Sequence, residues 1–391
     1  MPLLLSRLIS FSLLAAWVGM VAGCATTGGY RYRDLFLLLD RMEVPADRLE
    51  VLPVFLVEAD SGAPARGARV VVETEPEPLV LVGDEAGQVL IPVEAALRRR
   101  NPPIRIEPAE AKVRLVVTLS GKLSGREIEA VEVRTAAGKQ RLGDSRVAVY
   151  HGNGETALAR EVRAGLIRSR QVVRSITGLE PPRWAVVIES APKRPNVLYL
   201  TVPPPGQESA WICFREEWES GDFLDVNPHE WAEATLTSAL GLYDDPRNRF
   251  IGDGLAELVA WKVNGLPEDY GDRLSTEWVG DGAAVDLLTA FQVVPGRVFH
   301  RRRIERGLEK HGYVPGYALA FAFWHEVYEA HGAGLTRAYV AELARQPSVR
   351  AEEAIAILAR LTGDASVEQR IRAANVVEAR RRIERLIEAG E

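Results

Sequence analysis

Cysteine is scarce in this chain. Its 391 residues hold two, Cys24 and Cys213, so at most one disulfide can form and a disulfide-stapled scaffold is excluded. An excess of one charge is also missing. The 48 basic residues face 54 acidic ones, a net charge of −6, and this excludes the strongly basic face that a nucleic-acid partner would need. Three arginine runs occur, Arg98–Arg100, Arg301–Arg303 and Arg380–Arg382. Each lies among acidic residues or at an expected helix end and reads as a solvated face. The uncharged run Leu8–Ala22 is too short to be a comfortable membrane span. What the chain does have is apolar material, 47% of its residues, and enough length for two domains that each bury a core.

The start reads MPLLLSRLISFSLLAAWVGMVAGC. A positive charge at Arg7, an apolar stretch and small residues form the layout of a signal peptide. It closes on Val21-Ala22-Gly23-Cys24, which resembles the bacterial lipobox, in which the Cys is diacylated and becomes the first mature residue. That resemblance implies lipidation at Cys24. Acyl chains together would hold the protein on a bilayer where one holds it marginally. Residues 25–30, ATTGGY, read as a flexible tether. Ala25 rather than Asp follows the Cys, and the likeness to enteric lipoproteins then favours the periplasmic side of an outer membrane. With Cys24 committed to lipid, Cys213 is a lone thiol. It lies in the apolar run Trp211–Phe214, which suits a buried structural role.

Residues 48 to about 140 read as short strands separated by turn signals. The expected strands are 49–57, 69–73, 79–82, 88–93, 112–119 and 128–134, after a brief helix over Leu35–Met42. Such spacing suggests a small β-sandwich. The succession Asp60-Ser61-Gly62, Pro64, Gly67-Ala68, strand, Asp84-Glu85-Ala86-Gly87, strand is similar to transthyretin-like or carboxypeptidase-regulatory-like Ig domains. Those serve as accessory modules, and nothing in this stretch points to catalysis.

The pattern changes near residue 143. A strand at 145–150 leads to a long helix over Glu155–Thr177, with Gly178 as its stop signal. Strands follow at 184–188, 197–202 and 211–218, and from Asn227 onward the periodicity is helical. Strands first and helices later indicate an α+β domain.

Two segments in the helical part carry chemistry. In Pro228-His229-Glu230-Trp231-Ala232-Glu233, His229 and Glu233 are four apart and share one helix face, with Glu230 beside them. This is the zincin HExxH spacing with Glu for the second His. In that motif the two histidines bind zinc and the Glu is general base for a metal-bound water. The second segment is Ile251-Gly252-Asp253-Gly254-Leu255-Ala256-Glu257-Leu258.

Together the two resemble the gluzincin metallopeptidases, the aminopeptidase- and thermolysin-like clan, whose third ligand is a Glu on a following helix in a context such as Glu-Gly-Leu-Ala-Glu-Tyr. The later runs Gly312–Tyr317 and Glu352–Ile355, with Leu361-Thr362-Gly363, also look like that clan. The resemblance covers about residues 143 to 385. It implies His229, Glu233 and Asp253 as metal ligands, Glu230 as the base that activates a water, and Tyr313 or Tyr317 as an oxyanion stabiliser. Glu257 would orient a ligand from behind or replace Asp253. The expected organisation is a signal peptide (1–23), a lipidated Cys and tether (24–47), an Ig-like β-sandwich (48–140) and a gluzincin-like domain with a mixed sheet and a mostly helical C-terminal part (141–391).

Two ligands depart from the clan's pattern, with Glu233 for His and Asp253 for Glu. A His-His-Glu set leaves zinc one net positive charge, whereas His-Glu-Asp neutralises it, so a bound water would ionise less readily. The carboxylates suit a harder metal than zinc. The cofactor expectation is therefore one divalent metal, zinc by resemblance or a harder ion by ligand type, or none. Read from the residues without the resemblance, His229 pairs with Glu233 and Asp253 caps a helix beginning near Gly254. Trp231, Trp261 and Trp324 are core, and His300, His311, His325 and His331 lack ligand spacing. Two functions follow. One is an envelope protein on a metallopeptidase-like scaffold with weak or lost hydrolysis, which binds or scaffolds a peptide or an envelope protein. The other is an active metal-dependent peptidase.

Overall fold

A computed structural model of the chain describes residues 30–36, 51–108, 112–117, 138–189, 209–215, 220–242, 245–275, 284–292 and 313–390. Cys24, the strands expected at 128–134 and 197–202, His300 and His311 lie outside these residues.

The N-terminal part consists of two antiparallel sheets. One orders β1 (Tyr30–Arg31), β6 (Pro103–Glu107), β3 (Arg69–Val72) and β4 (Leu79–Val82), and the other orders β5 (Gln88–Pro92), β2 (Val51–Glu58) and β7 (Val113–Val117). Their facing side chains, among them Leu52, Val54, Val70, Val72, Ile91 and Ile104, share one buried core. This is the two-layer solution for sheets that are apolar on one side. A short helix, α1 (Ala95–Arg100), follows β5 and ends on Asn101 in the left-handed region (φ 51°). A 3₁₀ turn spans Tyr32–Phe36, and residues 37–42 of the helix expected at 35–42 lie outside the described residues.

A third sheet is mixed. β8 (Gln140–Gly143) runs antiparallel to β9 (Val147–His151), and β9, β10 (Arg183–Glu189) and β11 (Ser209–Arg215) are parallel. Parallel neighbours need a crossover, and α2 (Thr156–Thr177) supplies the one from β9 to β10. Its buried positions Ala159, Val162 and Leu166 lie against Val147, Val149, Trp184 and Val186 of the sheet. Gly178 ends α2 at φ 74°, with its N–H on Arg174 O. Cys213 pairs through its backbone with Val187.

The helical part begins with α3 (Ser220–Leu240), buried on opposite sides. Trp231 and Ala234 join the core under the sheet, while Ala232, Leu236 and Leu240 join the helical core. Trp231 stacks on Trp184 at 5.7 Å and donates its indole N–H to Pro182 O at 3.0 Å. These contacts fix the rotation of α3 and hence which side His229 faces. α4 (Arg249–Asn264) packs along α3. Its Gly254 lies against Trp324 of α6 (Tyr313–Leu343), where a Cβ would meet the ring at 2.4 Å. The short β12 (Ala284–Val285) and α5 (Leu287–Ala290) precede α6, which breaks direction at Gly332. α7 (Ala351–Thr362), α8 (Val367–Arg372), β13 (Ala374–Asn375) and α9 (Val376–Ala389) complete the chain. Trp231, Trp261 and Trp324 are core residues. His325 is buried edge-on to Trp261 at 4.6 Å. Among the described residues no helix is long and apolar enough to cross a membrane.

The N-terminal sheets touch the helical part at Gln292. Arg114 of β7 donates to Gln292 Oε1 at 2.9 Å, and Gln292 donates to Gly62 O at 3.2 Å. A Cβ at Gly62 would lie 2.8 Å from Thr289 Cγ2, so the β2–β3 turn is shaped to approach α5. The chain is an α+β protein.

Candidate functional site

α3 and α4 place a cluster of ionisable side chains between them. Pro228 lacks an N–H and interrupts the helical ladder just before His229. His229 and Glu233 then project from one face, one turn apart. Across from them stand Asp253 and Glu257, likewise one turn apart on α4. Asp253 lies in the interior of α4, which begins at Arg249. The helix-cap reading of Asp253 is therefore corrected: tertiary packing carries the helix straight through the glycines that suggested a break.

His229, Glu233 and Asp253 are 8%, 6% and 0% exposed. His229 Nε2 is 3.7 Å from Glu233 Oε2 and 4.0 Å from Asp253 Oδ1, beyond hydrogen-bond length. One ligand atom from each of the three lies within 4.8 Å of the others. On its other side His229 Nδ1 faces Glu257 Oε1 at 3.4 Å. Glu257 also accepts from Tyr270 Oη at 2.8 Å and from Arg273 Nη1 at 3.4 Å.

The remaining cation is Arg249, one turn before Asp253. Its Nε reaches Asp253 Oδ2 at 2.9 Å and its Nη2 reaches Asp253 Oδ1 at 2.8 Å, a two-pronged pair. Nη2 also donates to Tyr317 Oη at 3.1 Å and stands 4.0 Å from Glu233 Oε1. The guanidinium lies 5.3 Å from the Phe291 ring centroid and 6.0 Å from that of Tyr317. Tyr317 in turn tilts against the His229 ring at 5.8 Å.

Protonation follows from this packing. Burial alone would depress His229, but Glu257, and then Glu230 and Glu233, outweigh it and lift the imidazole to about 10. Burial alone would raise Glu257, yet His229, Arg273 and Tyr270 hold it down at about 2. Burial, then Asp253 and Glu230, push Glu233 well above the usual carboxylate range. Glu230 is half-buried and is also raised, by burial first, with His229 opposing and Asp253 adding.

The structure thus brings His229, Glu230, Glu233, Asp253, Glu257 and Tyr317 together. Tyr313 opens α6, and its side chain lies outside the described residues. Arg249, Tyr270, Arg273 and Phe291 join the site without having been singled out in the sequence. Arg249 had a local signal, its i,i+4 spacing to Asp253. The other three come from distant segments and had none. By spacing, the His229–Glu233–Asp253 set admits one ion. By charge it does not fit one while Arg249 is in place, because both Asp253 oxygens accept from the guanidinium and an ion on Oδ1 would share that atom with a group of the same sign.

No family model and no curated protein matches this chain. Among solved structures it is similar to yeast LTA4 hydrolase in complex with bestatin, at 11% identity over 84% of this chain and 61% of that one, with a TM-score of 0.38. The native yeast LTA4 hydrolase gives 10% identity, 82% and 60% coverage and a TM-score of 0.37. The chain spans about three fifths of the length of those proteins. A likeness this distant assigns neither family nor activity.

Proposed function

We propose that this chain is a cell-envelope lipoprotein, anchored through Cys24, with a gluzincin-like metallopeptidase domain whose hydrolytic centre is altered. Hydrolysis is weak or lost, and the domain binds or scaffolds a peptide or an envelope protein. The observation that carries this reading is that the cations in the cluster are met from within the chain. His229 faces Glu257 at 3.4 Å and Arg249 clasps Asp253 at 2.8 and 2.9 Å. The second reading, an active metal-dependent peptidase using His229, Glu233 and Asp253 as ligands and Glu230 as base, draws on the 4.8 Å grouping of their ligand atoms.

Elemental analysis of the protein purified without chelator separates the two, beside a His229→Ala, Glu233→Ala control. The expected result is no stoichiometric metal in the wild type, even after incubation with zinc or manganese, and no peptide hydrolysis that Glu230→Gln abolishes. One equivalent of metal that vanishes in the control, with Glu230-dependent hydrolysis, would replace this reading with the second. For the anchor, Cys24→Ala is expected to move the protein from the membrane to the soluble fraction.

A further inference from the structure

We propose that the Arg249 guanidinium takes the electrostatic place of a divalent cation in the His229–Glu233–Asp253 cluster, which makes the cluster a latent metal site closed by one side chain. The inference rests on the reading of the centre as free of metal, and it adds the reason.

The geometry places one nitrogen at the centre of the case. Arg249 Nη2 touches Asp253 Oδ1 at 2.8 Å and Tyr317 Oη at 3.1 Å, and faces Glu233 Oε1 at 4.0 Å. Asp253 and Glu233 are also the two carboxylates that a cation held with His229 would need. Asp253 Oδ1 also stands 4.0 Å from His229 Nε2. His229 is buried and aimed into the cluster, with its Nε2 at 3.7 Å from Glu233, a separation that ligands around a common ion tolerate and a hydrogen bond does not.

The residue type suits the role. A guanidinium stays charged in proteins, matches a carboxylate with two parallel N–H groups and tolerates burial against aromatic rings better than an ammonium. Here Phe291 and Tyr317 supply the rings. Removing the guanidinium leaves Asp253, 0% exposed, without its two hydrogen-bonded nitrogens. An unpaired buried carboxylate is costly, and the neighbouring Glu233 and His229 already stand at ligand spacing. The cluster then gains from a cation what it lost with Arg249.

The test is zinc and manganese uptake by the full chain purified without chelator. It compares wild type, Arg249→Met, which keeps the apolar stem, and Arg249→Met with His229→Ala. Equilibrium dialysis gives the stoichiometry and a thermal melt gives the shift on adding metal. The single variant is expected to bind about one equivalent, at least tenfold more tightly than wild type, with a rise in Tm on adding metal that the double variant lacks. A folded Arg249→Met chain that binds no metal, beside a metal-free wild type, overturns this proposal and leaves the proposed function standing. A wild type that already binds one equivalent overturns both. Arg249→Lys keeps a positive charge and is expected to stay metal-free; uptake there equal to that of the Met variant overturns the electrostatic account. Should Arg249→Met fail to fold alone, folding rescued by zinc supports the proposal. Without such rescue, Arg249→Gln takes its place under the same outcomes.

Discussion

Arg247 and Arg249 stand two residues apart at the start of α4, and each clasps an aspartate with two nitrogens. Arg247 binds Asp245 through Nε at 3.0 Å and Nη2 at 2.8 Å, and binds Glu352 of α7 through Nη2 at 2.9 Å. Asp245 turns its remaining capacity to backbone, accepting from Arg247 N at 3.0 Å and Ala351 N at 3.3 Å. Asn248 adds a bond to Val349 O at 2.8 Å. Arg247 is therefore a clamp that pins α7 to the start of α4. Arg249 makes the same two-pronged pair, but the far side of Asp253 faces an imidazole and a second carboxylate instead of backbone. The chemical pair is identical, and its work is set by what else the carboxylate faces.

The sharpest way to break this comparison is to remove each guanidinium in turn. Arg247→Met strands Asp245, which is 3% exposed. Breaking a buried pair from one side costs about 3–5 kcal/mol. The low end is expected here because the Glu352 side chain is 55% exposed. Among the described residues no third ligand residue groups with Asp245 and Glu352, so added zinc should not recover the loss in a denaturant titration. Equal recovery by zinc in Arg247→Met and Arg249→Met would erase the distinction between the two sites.

A smaller effect is expected at Gly254, where α4 is held against α6. An added Cβ would lie 2.4 Å from Trp324 Cδ1 and 3.1 Å from Ala320 Cβ. Trp324 has little room to yield, being fully buried with its indole N–H on Phe250 O at 2.9 Å. Overpacking of this kind costs about 1–3 kcal/mol, less about 1 kcal/mol for the better helix propensity of Ala. Gly254→Ala should lower Tm by a few degrees. It should also weaken the zinc uptake of Arg249→Met, since Asp253 is the adjoining residue. Unchanged uptake would mean that the position of Asp253 does not depend on the α4–α6 contact.

Much of this was legible in the sequence where local signals and packing agree. The helix expected over 155–177 spans Thr156–Thr177, and its glycine stop sits in the left-handed region where Gly is favoured. The strand at 79–82 has the expected ends. β6 was missed although Ile104 points inward and Arg105 and Glu107 are paired at the surface, a period-two pattern hidden behind Pro102 and Pro103. His229 and Glu233 could be paired from spacing alone because one helix carries both. Asp253 misled as a cap because glycines flank it. One of them, Gly254, is there for the Trp324 contact, a tertiary cause that no local rule reports. The same gap hid Arg249, whose i,i+4 relation to Asp253 is plain in the sequence but whose meaning depends on which helix lies opposite.

The smallest expected effect separates the two sites by the sign of their pH dependence. At the clamp, burial alone would raise Glu352, but Arg247 outweighs it and the carboxyl sits below its ordinary value of 4.5. Its contribution is therefore present above about pH 4.5 and lost as pH falls. At the centre, Glu233 sits well above 4.5 through burial, Asp253 and Glu230. The folded chain there keeps a proton that the unfolded chain has released, so stability falls as pH rises past about 4.5. His229 acts in the same direction, with its contribution full below 6.5 and lost as pH rises through about 10. Glu233→Gln replaces a protonated carboxyl by a neutral group of the same shape. Its melting temperature should match wild type near about pH 4 and exceed it progressively toward about pH 9. Glu352→Gln should do the opposite in sign: near parity with wild type at acid pH, and a deficit that opens as pH rises and the wild-type ion pair forms. Melts of the three chains across that range read both slopes together. Parallel curves for wild type and Glu233→Gln would mean that Glu233 is ionised in the folded chain, with Arg249 satisfying both carboxylates of the centre as Arg247 satisfies both of its own.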